Sequence, residues 1–380
     1  MYRAGTHLAD QRYVDINVTL PITRRRLWGA AGSLYFLAAC APGRPTKDAS
    51  PTMPAAIPIP TSPPAPPPQP TATPVPWNPL TGQNVGDQSA IRRRIVAAKI
   101  DNAPLARPQF GLSAADVVYE QLAEGGVTRF LALFLQNAPD KVGPIRSARL
   151  TDIYLGQEWD FLLAYAGAGR TTARLLAEAL VAAFKAPELG ERLESTPYSR
   201  DNGRPIPHNM FVRVAGVREA AAADPILGRE VEIRPFPFID APETGPLRTL
   251  SMPYVPQAAV TWRYDTASHT WKRTMAGSAH VDAGNNQQIG VENVVIQYAQ
   301  IFTAQGVEPD AAGNPVLDTL LRGENRVRVF HSGQMFEGTW LKEHDRAKTQ
   351  YRRSDGTPVP FRPGRVWFHV VPTDFNASWT

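Results

Sequence analysis

The segment 161-FLLAYAGAGRTTARLLAEALVAAF-184 decides the fold class of this chain. Its first six residues, Phe161 to Ala166, are apolar or aromatic and predict a buried β-strand. The glycine-rich turn Gly167-Ala168-Gly169 follows. The alanine-rich run from Thr171 to Phe184 then predicts a helix, with Thr171 as its cap. A strand that leads through a tight turn into a helix indicates a mixed α and β domain.

The flanking sequence extends this pattern in both directions. Three further strands are predicted upstream, at 95–100, 116–120 and 129–135. Downstream, turn residues separate short β-prone runs at 260–264, 291–298, 327–330, 337–340 and 365–371. We therefore predict an α+β protein, with a mixed α/β domain over 80–246 and a smaller, mostly antiparallel β domain over 252–372.

The N-terminal region carries an export pattern. Three arginines at 24–26 precede an uncharged apolar run that begins at Leu27 and ends in Leu37-Ala38-Ala39-Cys40. This layout is typical of a bacterial secretory signal, and a run of about 14 residues is shorter than the about 20 that span a bilayer. Cys40 is the only cysteine, and it occupies the position of the acylated cysteine in a lipobox. We predict a lipoprotein signal over 1–39, exported by the general or the twin-arginine route; a core helix or an uncleaved anchor is the alternative.

A proline-rich segment separates Cys40 from the folded part. Residues 41–79 contain fifteen prolines among Ala, Thr and Ser. Such a composition cannot bury a core and favours extended polyproline II, whose rise of about 3.1 Å per residue gives a reach of roughly 120 Å. We predict a disordered linker over 40–79 that serves as a stalk. A ligand for a partner's aromatic groove is the alternative.

Charge and composition exclude several classes of function. Removal of residues 1–39, which hold five arginines and two aspartates, lowers the formal net charge from +5 to +2. The basic precursor is therefore no indication of nucleic-acid binding. Without a second cysteine there is no disulfide framework and no thiolate metal site. The histidines are scattered, without a zinc-ligand spacing, so we expect neither a metal nor another cofactor.

Several short motifs are found along the chain beyond the linker: 101-DNAP-104, 107-RPQFGL-112, 115-ADVVYE-120, 124-EGGVTR-129 and 143-GPIRSAR-149, and later 271-WKR-273, 280-HVD-282, 293-NVVIQ-297 and 338-GTWLK-342. Together they resemble the YerB-type bacterial lipoproteins, a family that combines N-terminal and C-terminal domains of unknown function (domain of unknown function 3048). The resemblance covers nearly all of the chain beyond the linker. It implies an envelope lipoprotein without an assigned activity.

Carboxylates in the first domain could serve catalysis. Glu120 and Glu124 lie four residues apart, with Asp116 four before, so we expect the three to share one side of their element. A glycosidase requires two carboxylates about 5 to 9.5 Å apart. Positions four apart on a strand are roughly 13 Å apart. This spacing argues against a wall-cleaving role for the pair alone.

Arginines near these acids suggest an anion-binding cleft. Guanidinium groups pair bidentately with carboxylates and phosphates. The expected ligands of such a cleft are peptide carboxylates or phosphate-bearing wall polymers. Internal ion pairs that fix the strands are the alternative. The candidate ligand-binding residues are Asp101, Asn102, Arg107, Glu120, Glu124, Arg129, Arg146 and Arg149.

Three further pairs are secondary candidates: Arg170 with Thr171, His208 with Asn209, and His280 with Asp282. The first pair opens the helix after Gly167-Ala168-Gly169, where free amides can bind an anion, although the motif lacks the lysine of a P-loop. The second lies in a polar loop that could line a cleft. The third would share a strand face, as a surface hydrogen-bonded pair or a metal site.

We interpret the chain as an extracytoplasmic protein, anchored to the bacterial cell membrane through lipidated Cys40, that binds or regulates parts of the cell envelope. Its expected partners are the membrane, a cell-wall polymer or envelope protein machinery, and not nucleic acid. Two alternatives stay open. One is a hydrolase or transferase of peptidoglycan or a wall polymer that uses carboxylates of the first domain. The other is a purely structural envelope protein.

Overall fold

The computed structural model describes residues 77–239, 245–310 and 312–380. The predicted signal peptide and nearly all of the predicted linker lie outside these ranges. Within them, no helix has the length and apolarity needed to cross a bilayer.

The N-terminal part is mixed α and β, as predicted. The strands predicted at 95–100, 116–120, 129–135 and 161–166 are present with small shifts of their ends, whereas the helices Leu150–Trp159 and Val214–Ala222 were not predicted. The elements are β1 Val96–Asp101, β2 Val117–Leu122, β3 Thr128–Phe134, α1 Leu150–Trp159, β4 Leu162–Tyr165, α2 Arg170–Glu178, β5 Ala182–Lys185, β6 Tyr198–Arg200, β7 Met210–Val212 and α3 Val214–Ala222.

The C-terminal part consists of strands, most of them antiparallel, as predicted. They are β8 Thr249–Met252, β9 Val260–Asp265, β10 Thr270–Met275, β11 Ser278–Ala279, β12 Val281–Asp282, β13 Gln287–Gln288, β14 Gly290–Val291, β15 Asn293–Thr303, β16 Leu317–Leu320, β17 Gly323–His331, β18 Gln334–Lys342, β19 Gln350–Arg352, β20 Val366–Pro372 and β21 Ser378–Trp379. Short 3-10 helices lie at Gln88–Ala90, Pro104–Ala106, Leu112–Ala114, Glu124–Gly126 and Pro256–Ala258.

The helix predicted from Thr171 to Phe184 is wrong in its second half. The helix α2 ends at Glu178, Leu180 adopts a positive φ of 57°, and the chain then forms β5. β5 pairs in parallel with β4, with Ala183 opposite Leu163. Hydrogen bonding to a sheet edge therefore overrides the helix preference of alanine, because strand formation depends on tertiary context.

One large sheet joins the two parts of the sequence. Its strand order is β19-β18-β17-β15-β20-β2-β3-β1-β4-β5, with β16 paired to β15. The junction is the parallel pair of β2 and β20, with Tyr119 opposite Phe368, and these two rings stack at 4.6 Å between centroids. The N-terminal and C-terminal parts thus share a backbone hydrogen-bond network.

The large sheet is buried on both faces. One face packs against the second sheet, of order β11-β10-β9-β8-β21 with β14 paired to β10, and against α3. The other face packs against α1 and α2. We call these the sheet face and the helix face. Adjacent residues of a strand point to opposite faces, so sequence parity assigns each side chain of β1, β2 and β3 to one of them.

A buried ion pair connects the two sheets on the sheet face. Arg273 of β10 donates from Nη2 to both carboxylate oxygens of Glu120 on β2, at 2.9 and 2.8 Å, and both side chains are fully buried. Thr128 Oγ1 and Trp367 Nε1 also donate to this carboxylate, at 2.8 and 2.9 Å. Burial alone would raise the pKa of Glu120, but Arg273 and His369 outweigh it and the pKa lies below its ordinary value. Glu120 is therefore an ionised structural centre.

Substitution Arg273→Met tests this centre. We expect it to lower the free energy of unfolding by about 3–5 kcal/mol, because it leaves the buried Glu120 carboxylate without its cationic partner. Equilibrium urea unfolding of the full chain, followed by tryptophan fluorescence, measures the change. Arg213→Met is the matched control, because Arg213 and Glu219 form an exposed ion pair that adds little stability. Equal stability of the two variants would contradict the assignment.

Candidate functional site

The candidate site begins with a cross-strand pair on the helix face. In the antiparallel pair of β1 and β3, Asp101 lies directly opposite Arg129, so the two side chains share one face. Lys99, two residues earlier on β1, identifies that face because its Nζ donates to Asp152 Oδ1 of α1 at 2.7 Å. Asp101 and Arg129 therefore lie on the α1 side, where β1 ends.

Two further arginines come from the segment that precedes α1. The Arg146 backbone connects β1 with the residue that follows β4. Its N–H donates to Lys99 O at 2.8 Å, and its carbonyl oxygen accepts from Ala166 N at 2.9 Å. Arg149 is the N-cap residue of α1, and its backbone N–H donates to Asp152 Oδ2 at 2.8 Å. Backbone structure thus positions both side chains beside Arg129. We call Arg129, Arg146 and Arg149 the arginine cluster.

Two carboxylates accompany the arginine cluster. Arg149 donates to Glu124 bidentately, at 2.6 and 2.7 Å, and Arg146 Nε lies 3.1 Å from Asp101 Oδ2. Burial opposes ionisation of Glu124, but the hydrogen bond and charge of Arg149 prevail, so its pKa lies below the ordinary value. Three guanidinium groups therefore share two carboxylates.

Arg129 is the most buried member of the arginine cluster and has an unsatisfied donor; Arg146 Nε, near Asp101, also lacks a hydrogen bond among the described residues. The exposure of Arg129 is 8%, and among the described residues its guanidinium forms no hydrogen bond; the nearest carboxylate oxygen, of Glu124, lies 3.7 Å from Nη1. Burial, followed by repulsion from Arg149, lowers the pKa of Arg129 to about 10. The side chain is thus a buried cation with free donors, a costly arrangement unless an external acceptor completes it.

A histidine joins this group from a distant part of the chain. His208 Nδ1 lies 2.6 Å from Asp101 Oδ2, the same oxygen that Arg146 approaches. The loop before His208 is fixed by Arg204, which donates to Ala106 O and Pro108 O at 3.0 and 2.8 Å. Of the predicted pair, His208 therefore belongs to the site. Asn209 instead accepts from Arg200 Nη1 at 3.3 Å.

This arrangement can bind an anion. The arginine cluster, Asp101 and Glu124 together carry one net positive charge when His208 is neutral. Guanidinium groups are suited to carboxylate and phosphate because of their planar donor geometry. No group of three or more acidic, cysteine or histidine side chains in the described part of the chain has the geometry of a metal site.

The other first-rank candidates lie on the sheet face. Asn102 Nδ2 donates to Thr128 Oγ1 at 2.7 Å, and Arg107 Nη2 donates to Asn102 O at 2.7 Å. Together with Glu120 they belong to the buried network around Arg273. The expectation that Glu120 and Glu124 share one side is therefore wrong, because the chain leaves β2 at Leu122 and turns through the 3-10 helix that carries Glu124.

The N-terminus of α2 already holds a carboxylate. Glu308 accepts from Thr171 N at 2.8 Å and from Thr171 Oγ1 at 2.6 Å, and these hydrogen bonds lower the pKa of Glu308 to about 2. Gly167 has a φ of 95°, as a tight turn requires. Arg170 and Thr171 thus open a helix whose free amide is occupied by the chain itself.

The pair of His280 and Asp282 is structural. His280 Nε2 lies 2.8 Å from Gln109 Oε1 and its Nδ1 lies 2.5 Å from Arg273 Nη1. Asp282 accepts from the backbone N–H groups of Gly111 and Ser113 at 3.0 and 2.7 Å. Both residues are buried. The expectation that His280 and Asp282 form a hydrogen-bonded surface pair is wrong. Asp282 instead binds the backbone of the turn at Gly111 and Ser113, and His280 belongs to the buried network around Arg273.

Two cavities are lined by residues other than those of the arginine cluster. A cavity of about 840 Å³ is lined by residues that include Trp77, Phe236 and Phe238. In a second cavity of about 350 Å³, burial lowers the pKa of Lys348 to about 7, although Glu158 counteracts the shift. Neither cavity contains a residue of the predicted site.

The sequence interpretation missed several residues of these networks. Lys99 interrupts a buried apolar strand, and a lysine there is almost never buried without a partner; this signal could have identified it. Arg273 and Glu308 gave no such signal, because their partners Glu120 and Thr171 lie more than a hundred residues away.

Comparison with known proteins places the chain among proteins of unknown function. The N-terminal domain of the DUF3048 proteins of unknown function matches residues 80–226, and the C-terminal domain matches 250–368. YerB of Bacillus subtilis (strain 168), named as a candidate lipoprotein, is 28% identical over 304 residues, covering 79% of this chain and 87% of that protein. The crystal structure of B. subtilis YerB has a TM-score of 0.68 at 27% identity, and the match covers 80% of this chain and 99% of that chain.

Substitutions in the arginine cluster distinguish a binding arginine from a structural one. We expect Arg129→Met to leave the free energy of unfolding unchanged or to raise it, because it removes a buried charge that forms no hydrogen bond with the part of the chain that the structure describes. Arg149→Met should lower it by about 1–3 kcal/mol, because Glu124 loses a bidentate partner. Urea unfolding of both full-length variants measures the difference. A loss of stability in Arg129→Met as large as in Arg149→Met would show that Arg129 is structural.

Proposed function

The chain belongs to the DUF3048 family of YerB-like proteins, and we propose that it is a lipid-anchored binding protein of the bacterial cell envelope. The arginine cluster binds the anionic group of its ligand. The observation that carries this proposal is Arg129, a buried guanidinium without a hydrogen bond among the described residues, next to two further arginines. Ligand binding would supply the acceptor that the fold does not.

Surrounding structure supports a binding site that exists before the ligand arrives. β1 and β3 hold Asp101 and Arg129 in register, and α1 begins directly after Arg149. Rigid elements that fix donor groups reduce the ordering cost of binding. The side chains of Arg146 and Arg149 are 25% and 12% exposed, so a ligand in solution can reach both of them.

The location of the protein supports an envelope ligand. The lipobox-like position of Cys40 and the proline-rich linker would hold the folded part outside the membrane. The anions available there include the carboxylates of wall peptides and the phosphates of wall polymers and lipids. Nucleotides and nucleic acids are not expected in that compartment.

The two alternatives have weaker support. An enzyme that used Glu120 and Glu124 as an acid and base would need both groups free to exchange protons with a substrate. Arg273 and Arg149 instead keep these carboxylates paired. A purely structural role accounts for Glu120 but leaves the free donors of Arg129 unexplained.

Anion titration tests the proposed function. We expect the full chain, in mild detergent, to bind inorganic phosphate or D-alanyl-D-alanine saturably, as measured by calorimetry. Arg129→Met should weaken binding by about 10- to 100-fold, the effect of losing a charged hydrogen bond of 1.5–3 kcal/mol. Arg174→Met is the matched control because Arg174 forms an exposed ion pair within α2. The proposal fails if neither anion binds or if both variants bind like the wild type.

Substitution Cys40→Ala tests the anchor. We expect the wild type to partition with the membrane fraction and into detergent, because two acyl chains give stable anchoring. The Cys40→Ala variant should lack the mass of the lipid and should change its fractionation. Mass spectrometry of the purified proteins measures the modification. An unmodified Cys40 in the wild type would refute the lipoprotein assignment while leaving the anion site untouched.

A further inference from the structure

We propose that the arginine cluster is built for a phosphate-type dianion, and that His208 is its fourth cationic group, which takes up one proton when the anion binds. This inference rests on the proposed function, since it assumes that the site binds an anion. It adds the ligand class and a ligand-binding residue.

Geometry places His208 in the site with one nitrogen free. Its Nδ1 lies 2.6 Å from Asp101 Oδ2, and Arg146 Nε lies 3.1 Å from the same oxygen. The imidazole and the Arg146 guanidinium are therefore neighbours. Nδ1 is engaged by Asp101, and among the described residues Nε2 has no hydrogen-bond partner. The side chain is 11% exposed, so a ligand bound at the arginine cluster can reach the imidazole.

The charged groups around His208 come from every adjacent element. Asp101 approaches from β1, Arg129 from β3 and Arg146 from the segment before α1. Arg107 and Arg204 lie on the two loops that pack together beside Asp101, and Arg200 contacts the neighbouring Asn209. Asp101 is thus the carboxylate that holds the imidazole. Two further acids lie on the surrounding elements: Glu124, paired with Arg149, and Asp201, paired with Lys141. An additional anion is what would favour protonation of His208.

Charge balance distinguishes the ligand classes. With neutral His208, the arginine cluster together with Asp101 and Glu124 carries one net positive charge, which a carboxylate would neutralise; Arg107 and Arg204 are left out of this count because their guanidinium groups donate to backbone carbonyls. A phosphate monoester carries about −1.5 to −2 charges near neutral pH. The site therefore needs one further positive charge to neutralise it. Imidazole is the side chain that gains a proton most readily in this pH range. A proton from the solvent binds at Nε2, which then donates to a phosphate oxygen, and no covalent bond is broken.

Proton-linked calorimetry tests the inference on the full chain in mild detergent. Sulfate is the main probe, because it is a dianion that does not itself titrate near neutral pH; methyl phosphate and acetate are compared with it. Binding heats at pH 7.5 in two buffers of different ionisation enthalpy give the number of protons taken up. We expect about one proton per bound sulfate and none for acetate.

Histidine variants identify the group that takes up the proton. His208→Asn retains a donor for Asp101 but lacks Nε2, so we expect sulfate to bind more weakly and without proton uptake. His344→Asn is the matched control, because His344 lies exposed in a turn away from the site; it should behave like the wild type. If His208→Asn does not fold, the wild type still decides: sulfate affinity should fall as the pH rises above neutral, and acetate affinity should not.

The outcomes separate this inference from the proposed function. Sulfate binding without proton uptake, or with equal uptake in His208→Asn, would overturn the role of His208 while leaving an anion site. Stronger binding of acetate than of sulfate would overturn the ligand class. Failure of all three anions to bind would refute the proposed function as well.

Discussion

The structure depends on how one buried charge is neutralised. Glu120 lies at the centre of the large sheet, and its carboxylate is completed by Thr128 from the N-terminal part and by Arg273 and Trp367 from the C-terminal part. An unpaired carboxylate at this depth would be strongly destabilising. The two parts of the chain must therefore associate for either to bury its polar groups, and the parallel pairing of β2 with β20 aligns them.

The two faces of the large sheet use charge in opposite ways. On the sheet face, the Glu120 carboxylate is paired with Arg273 inside the protein, although Arg273 Nε has no hydrogen-bond partner among the described residues. On the helix face, Asp101, Glu124 and Lys99 have partners, but the Arg129 guanidinium forms no hydrogen bond among the described residues, and burial lowers its pKa to about 10. Groups that lower stability in this way are concentrated at functional sites. Function is assigned to the helix face because Arg146 and Arg149 beside Arg129 are partly exposed, whereas Arg273 on the sheet face is fully buried.

The sequence predicted the strands better than it predicted the site. Strands such as 129–135 were recognisable because every residue of β3 is buried in a core, which produces a continuous apolar run. The end of α2 was not predictable, because the pairing of β5 with β4 is a tertiary effect. The structure brings the arginine cluster together with Asp101, whereas Glu120, which the sequence interpretation grouped with them, lies on the opposite face. The face of Glu120 relative to Glu124 could not be assigned without knowing where β2 ends. His208 could be only a secondary candidate, since 107 residues separate it from Asp101.

The most direct measurement of the central claim is a nitrogen-15 NMR titration of the arginine side chains in the full chain with sulfate. The Nε–Hε resonances of Arg129, Arg146, Arg149 and Arg273 would be assigned by single substitutions. Binding at the helix face predicts saturable shifts for Arg129 and Arg146, whereas Arg273, paired with Glu120 on the opposite face, should not respond. Unchanged resonances of Arg129 and Arg146 at saturating sulfate, or a uniform response of all four arginines, would contradict the claim.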